Sequence, residues 1–285
     1  EFIGAGTVGG QNITQNIVGN DQTWIALFDT SGTALWATTA DNAGFNSAQA
    51  LTHDSEGNIY AAGNYQGSTY FGSDTVLVSD GGFDAYLVKY SPTGDFVWAR
   101  SAHSTGSVYT YGLECSADDI LYLTGQFQNT LTITPTDEIV SNGFYDVMMI
   151  SVLTDGDLNW YAGLGAGGSD SGNDLHVDDE GRIYGVGSFE YEMLINGEIF
   201  DAQNAPDAFL VKISPCVFPN MSFSTSVEQQ LCADEPLGVT LFNTEEEVLY
   251  TVFANGEEAD SDTQGLIELY LEVDESMLDL GTNEV

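Results

Sequence analysis

Three tryptophans, Trp36, Trp98 and Trp160, stand 62 residues apart, and this spacing limits the fold more than any other property of the chain. The same interval separates Tyr60, Tyr122 and Tyr184, then Gly63, Gly125 and Gly187, then Leu51, Leu113 and Leu175. Gly32, Gly94 and Gly156 follow it as well. Five columns at one period mark a repeat architecture, in which each unit buries its apolar faces against its neighbours.

Within a unit the apolar residues come in short runs with no sustained 3.6-residue stripe, so strands are expected and almost no helix. One strand reads Asp84-Ala85-Tyr86-Leu87-Val88-Lys89-Tyr90, matched by Asp146 to Ile150 and by Asp207 to Ile213. Ser91-Pro92-Thr93-Gly94 and Thr30-Ser31-Gly32 are tight turns that place glycine where φ is positive. A second strand ends on the repeated tryptophan, and a third, Ala50 to Asp54, leads through Ser55-Glu56-Gly57 into Asn58-Ile59-Tyr60-Ala61-Ala62-Gly63. Short strands with glycine turns every 8–12 residues at a 62-residue period predict an all-β fold of β-propeller-like repeats. Units are expected over about 22–83, 84–145 and 146–206, three complete ones, with partial units at both ends of a repeat domain 1–214. Phe2 to Gly6 matches the end of a unit and 207–213 opens another, which predicts further units upstream in a longer polypeptide or supplied by other copies.

The runs Asp84 to Tyr90, Thr93-Gly94-Asp95-Phe96-Val97-Trp98 and Asp54 to Gly63 resemble the bacterial β-propeller repeat known as the SBBP repeat, over about residues 1–214. The resemblance implies a large secreted or surface protein, in which such repeats often stand beside immunoglobulin-like modules. The middle unit departs from the pattern, with Asp118-Asp119 where the others carry Glu-Gly, so a less regular turn is expected there.

After Ser214-Pro215 the repeat stops. Strand candidates Gly238 to Phe242, Val248 to Phe253 and Leu266 to Leu271, with a hairpin turn at Ala254-Asn255-Gly256-Glu257, predict a small antiparallel sandwich over 215–285. This segment resembles the immunoglobulin-like modules of giant adhesins exported by the type IX route, on Cys216, Leu231-Cys232-Ala233-Asp234-Glu235 and Leu249 to Gly256. Cys216 and Cys232, close in sequence and both in this module, are the expected disulfide in an oxidising exterior. Cys115 shares a column with His53 and Val177 and reads as a buried free thiol. The chain opens on Glu1-Phe2 without a Met, as a trimmed or mature product does.

Charge excludes partners. Forty-four acidic side chains face four basic ones, a formal net charge of −40, and such a surface repels nucleic acid and anionic membranes. No apolar run reaches the roughly 20 residues needed to cross a bilayer, so no membrane insertion is expected. Four cations neutralise at most four carboxylates. The rest are hydrated or hold cations, and calcium is the candidate cofactor. Asp155 and Asp157, Asp170 and Asp174, and Asp178 and Asp179 lie in glycine-rich loops that crowd oxygen ligands, though turn chemistry alone also places Asp beside Gly.

Catalytic motifs are missing. His53, His103 and His176 fall in different columns, and there is no nucleophile elbow, phosphate loop or zinc spacing. The chain is therefore expected to be non-enzymatic, a structural or adhesive extracellular or cell-surface protein, a segment of a long modular adhesin or filament. Its expected partners are other modules, further copies, and surface or environmental polysaccharide. Two alternatives stay open: a glycan-binding, lectin-like propeller, or a propeller hydrolase or lyase acting on polysaccharide. Asp74-Thr75-Val76 resembles an O-glycosylation site of bacteria with type IX export, making Thr75 a candidate. Asn12-Ile13-Thr14 and Asn220-Met221-Ser222 are sequons.

Overall fold

In a computed structural model, the chain divides into two compact bodies, Glu1–Ile213 and Ser214–Val285. The structure describes residues 5–14, 23–42, 44–72, 75–195, 198–202, 206–213, 237–242, 250–254, 257–262 and 268–273. All regular structure among them is β-strand.

The first body contains β1 (Ala5–Val8), β2 (Gln11–Thr14), β3 (Thr23–Phe28), β4 (Ala34–Asn42), β5 (Phe45–His53), β6 (Ile59–Gln66), β7 (Ser68–Phe71), β8 (Thr75–Val78), β9 (Asp84–Tyr90) and β10 (Phe96–Ser104). It continues with β11 (Val108–Cys115), β12 (Ile120–Phe127), β13 (Thr130–Thr134), β14 (Asp137–Val140), β15 (Asp146–Leu153) and β16 (Leu158–Leu164). Its last strands are β17 (Ser171–Val177), β18 (Ile183–Phe189), β19 (Glu192–Ile195), β20 (Glu198–Asp201) and β21 (Asp207–Ile213). The second body holds β22 (Leu237–Phe242), β23 (Tyr250–Ala254), β24 (Glu257–Asp262) and β25 (Glu268–Val273). There β22 pairs antiparallel with β25 and β23 with β24, Ala254 opposite Glu257.

Four antiparallel sheets make up most of the first body, and none closes on itself. The first runs β3-β4-β7-β8, the second β5-β6-β9-β10-β13-β14, the third β11-β12-β15-β16 and the fourth β17-β18-β21. A period is the same wherever counting starts, so the sequence set its length and the turns set its phase. Tight turns at 54–58 and 91–95 join strands of one sheet, whereas the glycine loops at 105–107 and 165–170 pass between sheets. The second sheet therefore takes strands from both sides of the boundary at 84, the third from both sides of 146 and the fourth from both sides of 207. The hairpin β13–β14, inserted between β12 and β15, does not join their sheet. It clasps the previous one, His103 opposite Thr132 and Ser104 opposite Leu131, and β7 binds β4 in the same manner.

Strand alternation sorts the apolar side chains between two faces. On β9, Tyr86, Val88 and Tyr90 pack toward the first sheet with Ala61, Tyr65 and Phe71. Ala85 and Leu87 pack toward the third with Leu121, Leu123, Met148 and Ile150. The repeated tyrosine and tryptophan lie on one cross-strand row, Tyr60–Lys89–Trp98 in the second sheet and Tyr122–Ser151–Trp160 in the third. Their rings sit 5.9 and 6.1 Å apart, both tilted by 52°. Two of the tryptophans also lock onto the next unit: Trp36 Nε1 donates to the Pro92 carbonyl at 3.0 Å, and Trp98 Nε1 to that of Thr154 at 3.2 Å. Of the leucine column, Leu113 and Leu175 are buried but Leu51 is 61% exposed. Among the described residues, the first sheet has no strands equivalent to β5 and β6 to cover it.

The glycine column has one cause. A Cβ on Gly63 would stand 2.0 Å from the Ser47 carbonyl oxygen and 2.7 Å from the Tyr86 hydroxyl. On Gly125 it would meet the Tyr109 carbonyl at 1.9 Å and the Met148 methyl at 2.9 Å. Each glycine sits opposite a bulge and provides the trough in which a long side chain of the next strand lies.

The turn after β5 is rebuilt identically three times. Asp54, Ser116 and Asp178 accept from Gly57, Asp119 and Gly181 through their backbone carbonyls. The middle turn is as regular as the others, contrary to expectation. Asp119 takes the left-handed conformation of the glycine it replaces, with φ of 59°. Its carboxylate accepts from Ser55 N at 2.7 Å and Ser55 Oγ at 2.5 Å, which offsets the strain and ties two neighbouring turns together.

Candidate binding surface

Three buried aspartates organise the loops at one end of the sheets. Asp84, at the start of β9, accepts from Ser104 N at 3.0 Å and Asp80 N at 2.9 Å. Asp146, at the start of β15, accepts from Asn142 N at 2.9 Å and Gly143 N at 3.2 Å. Asp170 accepts from Glu190 N at 3.0 Å and Ala166 N at 3.2 Å. Burial pushes all three carboxyls up, against the pull of those backbone donors. Asp170 rises to about 6, through burial first and then through the neighbouring charges of Asp146 and Glu190.

Asp84 and Asp146 fix the loops that carry Phe83, Phe144 and Tyr145, and these join Phe45 on β5 and Tyr109 and Tyr111 on β11 in a row of rings across the second and third sheets. Phe45 meets Phe83 edge-on at 5.3 Å, and Phe83 lies 5.5 Å from Tyr109. Tyr109 stacks on Tyr111 at 6.4 Å with 5° between planes and reaches Tyr145 at 6.1 Å. Phe144 closes the row on Tyr145 at 5.0 Å and is 65% exposed. The other five rings are half-buried. Half-exposed rings in a row offer flat apolar faces with hydroxyls at their edges. Sequence reasoning missed this strip because most of its members, Phe45, Tyr109, Tyr111 and Phe144, fall in different columns. The recurring signal was an aromatic just before the repeated Asp, Phe83 and Tyr145.

The repeated tryptophans and tyrosines are committed elsewhere. Trp98 and Tyr60 are buried in the joint between sheets, and Lys89 bridges both sides of it. Its Nζ donates to the Thr154 carbonyl at 2.9 Å, lies 3.8 Å from Asp54 and stands 5.2 Å from the centre of the Tyr60 ring.

The six candidate calcium ligands are not brought together. Asp155 and Asp157 share the turn between β15 and β16, where Asp155 Oδ1 accepts from Asp157 N at 3.0 Å. Asp170 lies at the opposite end of β16, buried and engaged as above. Asp174 binds the next backbone amide, that of Leu175, at 2.9 Å. Asp178 holds its own turn and Arg182 Nε at 2.7 Å, which keeps its carboxyl at about 2, while Asp179 beside it is exposed. Local hydrogen bonds engage the carboxylates of Asp155, Asp170, Asp174 and Asp178, and among the described residues no three His, Cys, Asp or Glu form a group suited to a metal.

His53 Nδ1 lies 3.0 Å from the Asp54 carbonyl, His103 pairs with Asp80 at 2.6 Å and His176 with Glu114 at 3.0 Å. Cys115 is a free thiol, half-buried, with burial pushing it up to about 11. Thr75 is half-buried at the start of β8, and Asn12 is exposed on β2. Cys216, Cys232, Asp74 and the second sequon lie outside the described residues. No helix among the described residues is long and apolar enough to cross a membrane. Compared with known proteins, the chain matches no family model, and no curated protein is significantly similar to it.

Proposed function

We propose that this chain is a non-enzymatic extracellular or cell-surface protein, structural or adhesive, and forms one length of a larger array of propeller-type units joined to an immunoglobulin-like module. One observation carries the reading. On β21, Ala208, Leu210 and Lys212 occupy the positions of Ala85, Leu87 and Lys89, which face the following sheet. Leu87 is 4% exposed and Leu210 is 72% exposed, beside Val186 at 41%. Leaving a leucine uncovered forgoes about 1.5–3 kcal/mol. The opposite face of the first sheet likewise leaves Trp24 and Phe28 exposed. Two such faces, built to the pattern of the internal joints, suit a stack that continues in both directions. The intact mass of the native polypeptide, with its sedimentation behaviour, tests this. A chain longer than 285 residues, or one that assembles, supports the array. A polypeptide of this length that sediments as a monomer at all concentrations sinks it.

A second reading, glycan binding, is favoured by the aromatic strip. A sugar ring presents a face of C–H groups that packs on half-exposed tyrosine and phenylalanine, while hydroxyls at the edge meet its polar groups. Pull-down on insoluble polysaccharides should retain the protein, and Phe144→Ala with Tyr109→Ala should release it. Equal retention of the variant would dismiss the strip as the contact.

A further inference from the structure

A cavity of about 170 Å³ lies between the second and third sheets, and comparison of equivalent positions explains its origin. In the joint between the first two sheets, Tyr86, Tyr90 and Phe71 are each 1% exposed and fill the space with rings. One period later these positions are Met148, Val152 and Ile133, all of which line the cavity. In the fourth sheet the position of Met148 holds a ring again, Phe209, lying over Gly187. The position of Met148 is thus filled by a ring in both neighbouring joints.

A second feature points to a ligand. Thr110 stands on β11 where the preceding unit has Ala48. It is fully buried, lines the cavity, and its Oγ1 has no hydrogen-bond partner among the described residues. Its backbone amide is engaged by Asn64 Oδ1 at 2.8 Å, so the strand is held firmly and the hydroxyl alone is unmet. A buried hydroxyl without a partner is unfavourable, and the preceding unit avoids it with Ala. The remaining lining is largely aliphatic, with exposed Arg100 and Asp157 marking the open side.

We propose that this inter-sheet cavity is a binding site for a small, mainly apolar molecule bearing one hydroxyl, a phenol or a compact alcohol. The hydrocarbon body packs on Leu87, Met148, Ile150 and Val152, and the hydroxyl pairs with Thr110 Oγ1. Volume sets the size class, since an apolar cavity of about 150 Å³ accepts a benzene ring. The site is separate from the aromatic strip and does not depend on glycan binding.

Phenol and toluene have matched shapes and differ in the hydroxyl, and titration of each can be followed by the Met148 methyl resonance. Phenol is expected to bind saturably and about tenfold more tightly than toluene, the effect of one buried hydrogen bond. Thr110→Val, nearly isosteric, should bring the two within about twofold. Val152→Tyr restores the ring of the preceding unit and should abolish saturable binding of both. Failure of both probes to saturate, equal affinity in the unmodified protein, or binding that persists in a folded Val152→Tyr variant would overturn the assignment. Should Val152→Tyr not fold, the Thr110→Val comparison still decides.

Discussion

Replacing Asp54 with Ala removes the carboxylate around which one complete turn is built. Asp54 is 4% exposed and accepts from Asn58 N at 2.8 Å, Asn58 Nδ2 at 2.7 Å, Tyr60 Oη at 2.9 Å and Glu56 N at 3.1 Å. Burial pushes its carboxyl upward, but the bonds from Asn58 and Tyr60 and the charge of Lys89 outweigh it and hold the group below the ordinary value. In Asp54→Ala two of these donors, Asn58 N and Tyr60 Oη, remain buried without a partner, at about 1–3 kcal/mol each before relaxation, while Asn58 Nδ2 keeps Glu56 Oε2 at 3.5 Å. Lys89 loses its anion but keeps the Thr154 carbonyl. Allowing for relaxation, the expected loss is about 3–5 kcal/mol. The protein contains its own control: the middle unit uses Ser116, whose Oγ accepts from Ile120 N at 3.2 Å. Asp54→Ser should therefore cost about half as much, and Ser116→Ala less than about 1 kcal/mol. Urea unfolding followed by tryptophan fluorescence measures all three. An Asp54→Ala loss under about 1 kcal/mol would refute the view that the carboxylate holds the turn.

Further outcomes follow from the same geometry. Between about pH 6 and 4 the folded state binds more protons than the unfolded chain, because Asp170 is raised to about 6, so stability should increase as pH falls through that window. Below pH 4 the lowered carboxyls, Asp54 and Asp178, reverse the trend, since protonation removes what they contribute. Melting temperatures from pH 3 to 8 should peak on the acid side of neutral, and a steady decline from pH 7 downward would contradict this. Gly125→Ala places a methyl 1.9 Å from a carbonyl oxygen and should destabilise by more than about 2 kcal/mol, whereas Gly167→Ala meets nothing within 4 Å and should be neutral by thermal melt. Chelation with EDTA should move the melting temperature by less than about 2 °C, because the acidic turns are satisfied by their own amides. A larger drop would restore calcium to Asp155, Asp157, Asp170, Asp174, Asp178 and Asp179. Raising salt from about 20 to 500 mM should stabilise a chain of net charge −40 by screening, read as a higher melting temperature.

The period, the strands and the turn glycines were legible because each rests on local chemistry. Gly32, Gly94 and Gly156 do take positive φ, of 82°, 87° and 92°. The phase was not legible, because sequence spacing carries no information about which of two equal-looking connections crosses between sheets. The clasping of β10 by β13–β14 was hidden for a related reason: a short hairpin pairs with whichever edge lies open. The aromatic strip stayed invisible because Phe45, Tyr109 and Phe144 converge from different columns in three dimensions only. The acidic loops were legible only as two alternatives. Their composition fits calcium and turns equally, and only hydrogen bonds distinguish the two.

The clasp hairpins also govern the order in which the chain acquires its structure. When β10 leaves the ribosome its outer edge is open, and it stays open until β13–β14, made after the first two strands of the next unit, arrives to cover it. The first and second sheets are thus finished by hairpins made after the opening strands of the sheet that follows, β7–β8 after β5–β6 and β13–β14 after β11–β12. A cut at the apparent sheet boundary, after Ser104, would strip the neighbour of its edge and leave a strand ready to pair with strangers. Evolution by duplication meets the same condition: a new unit inserts cleanly only as a full period taken out of phase with the sheets.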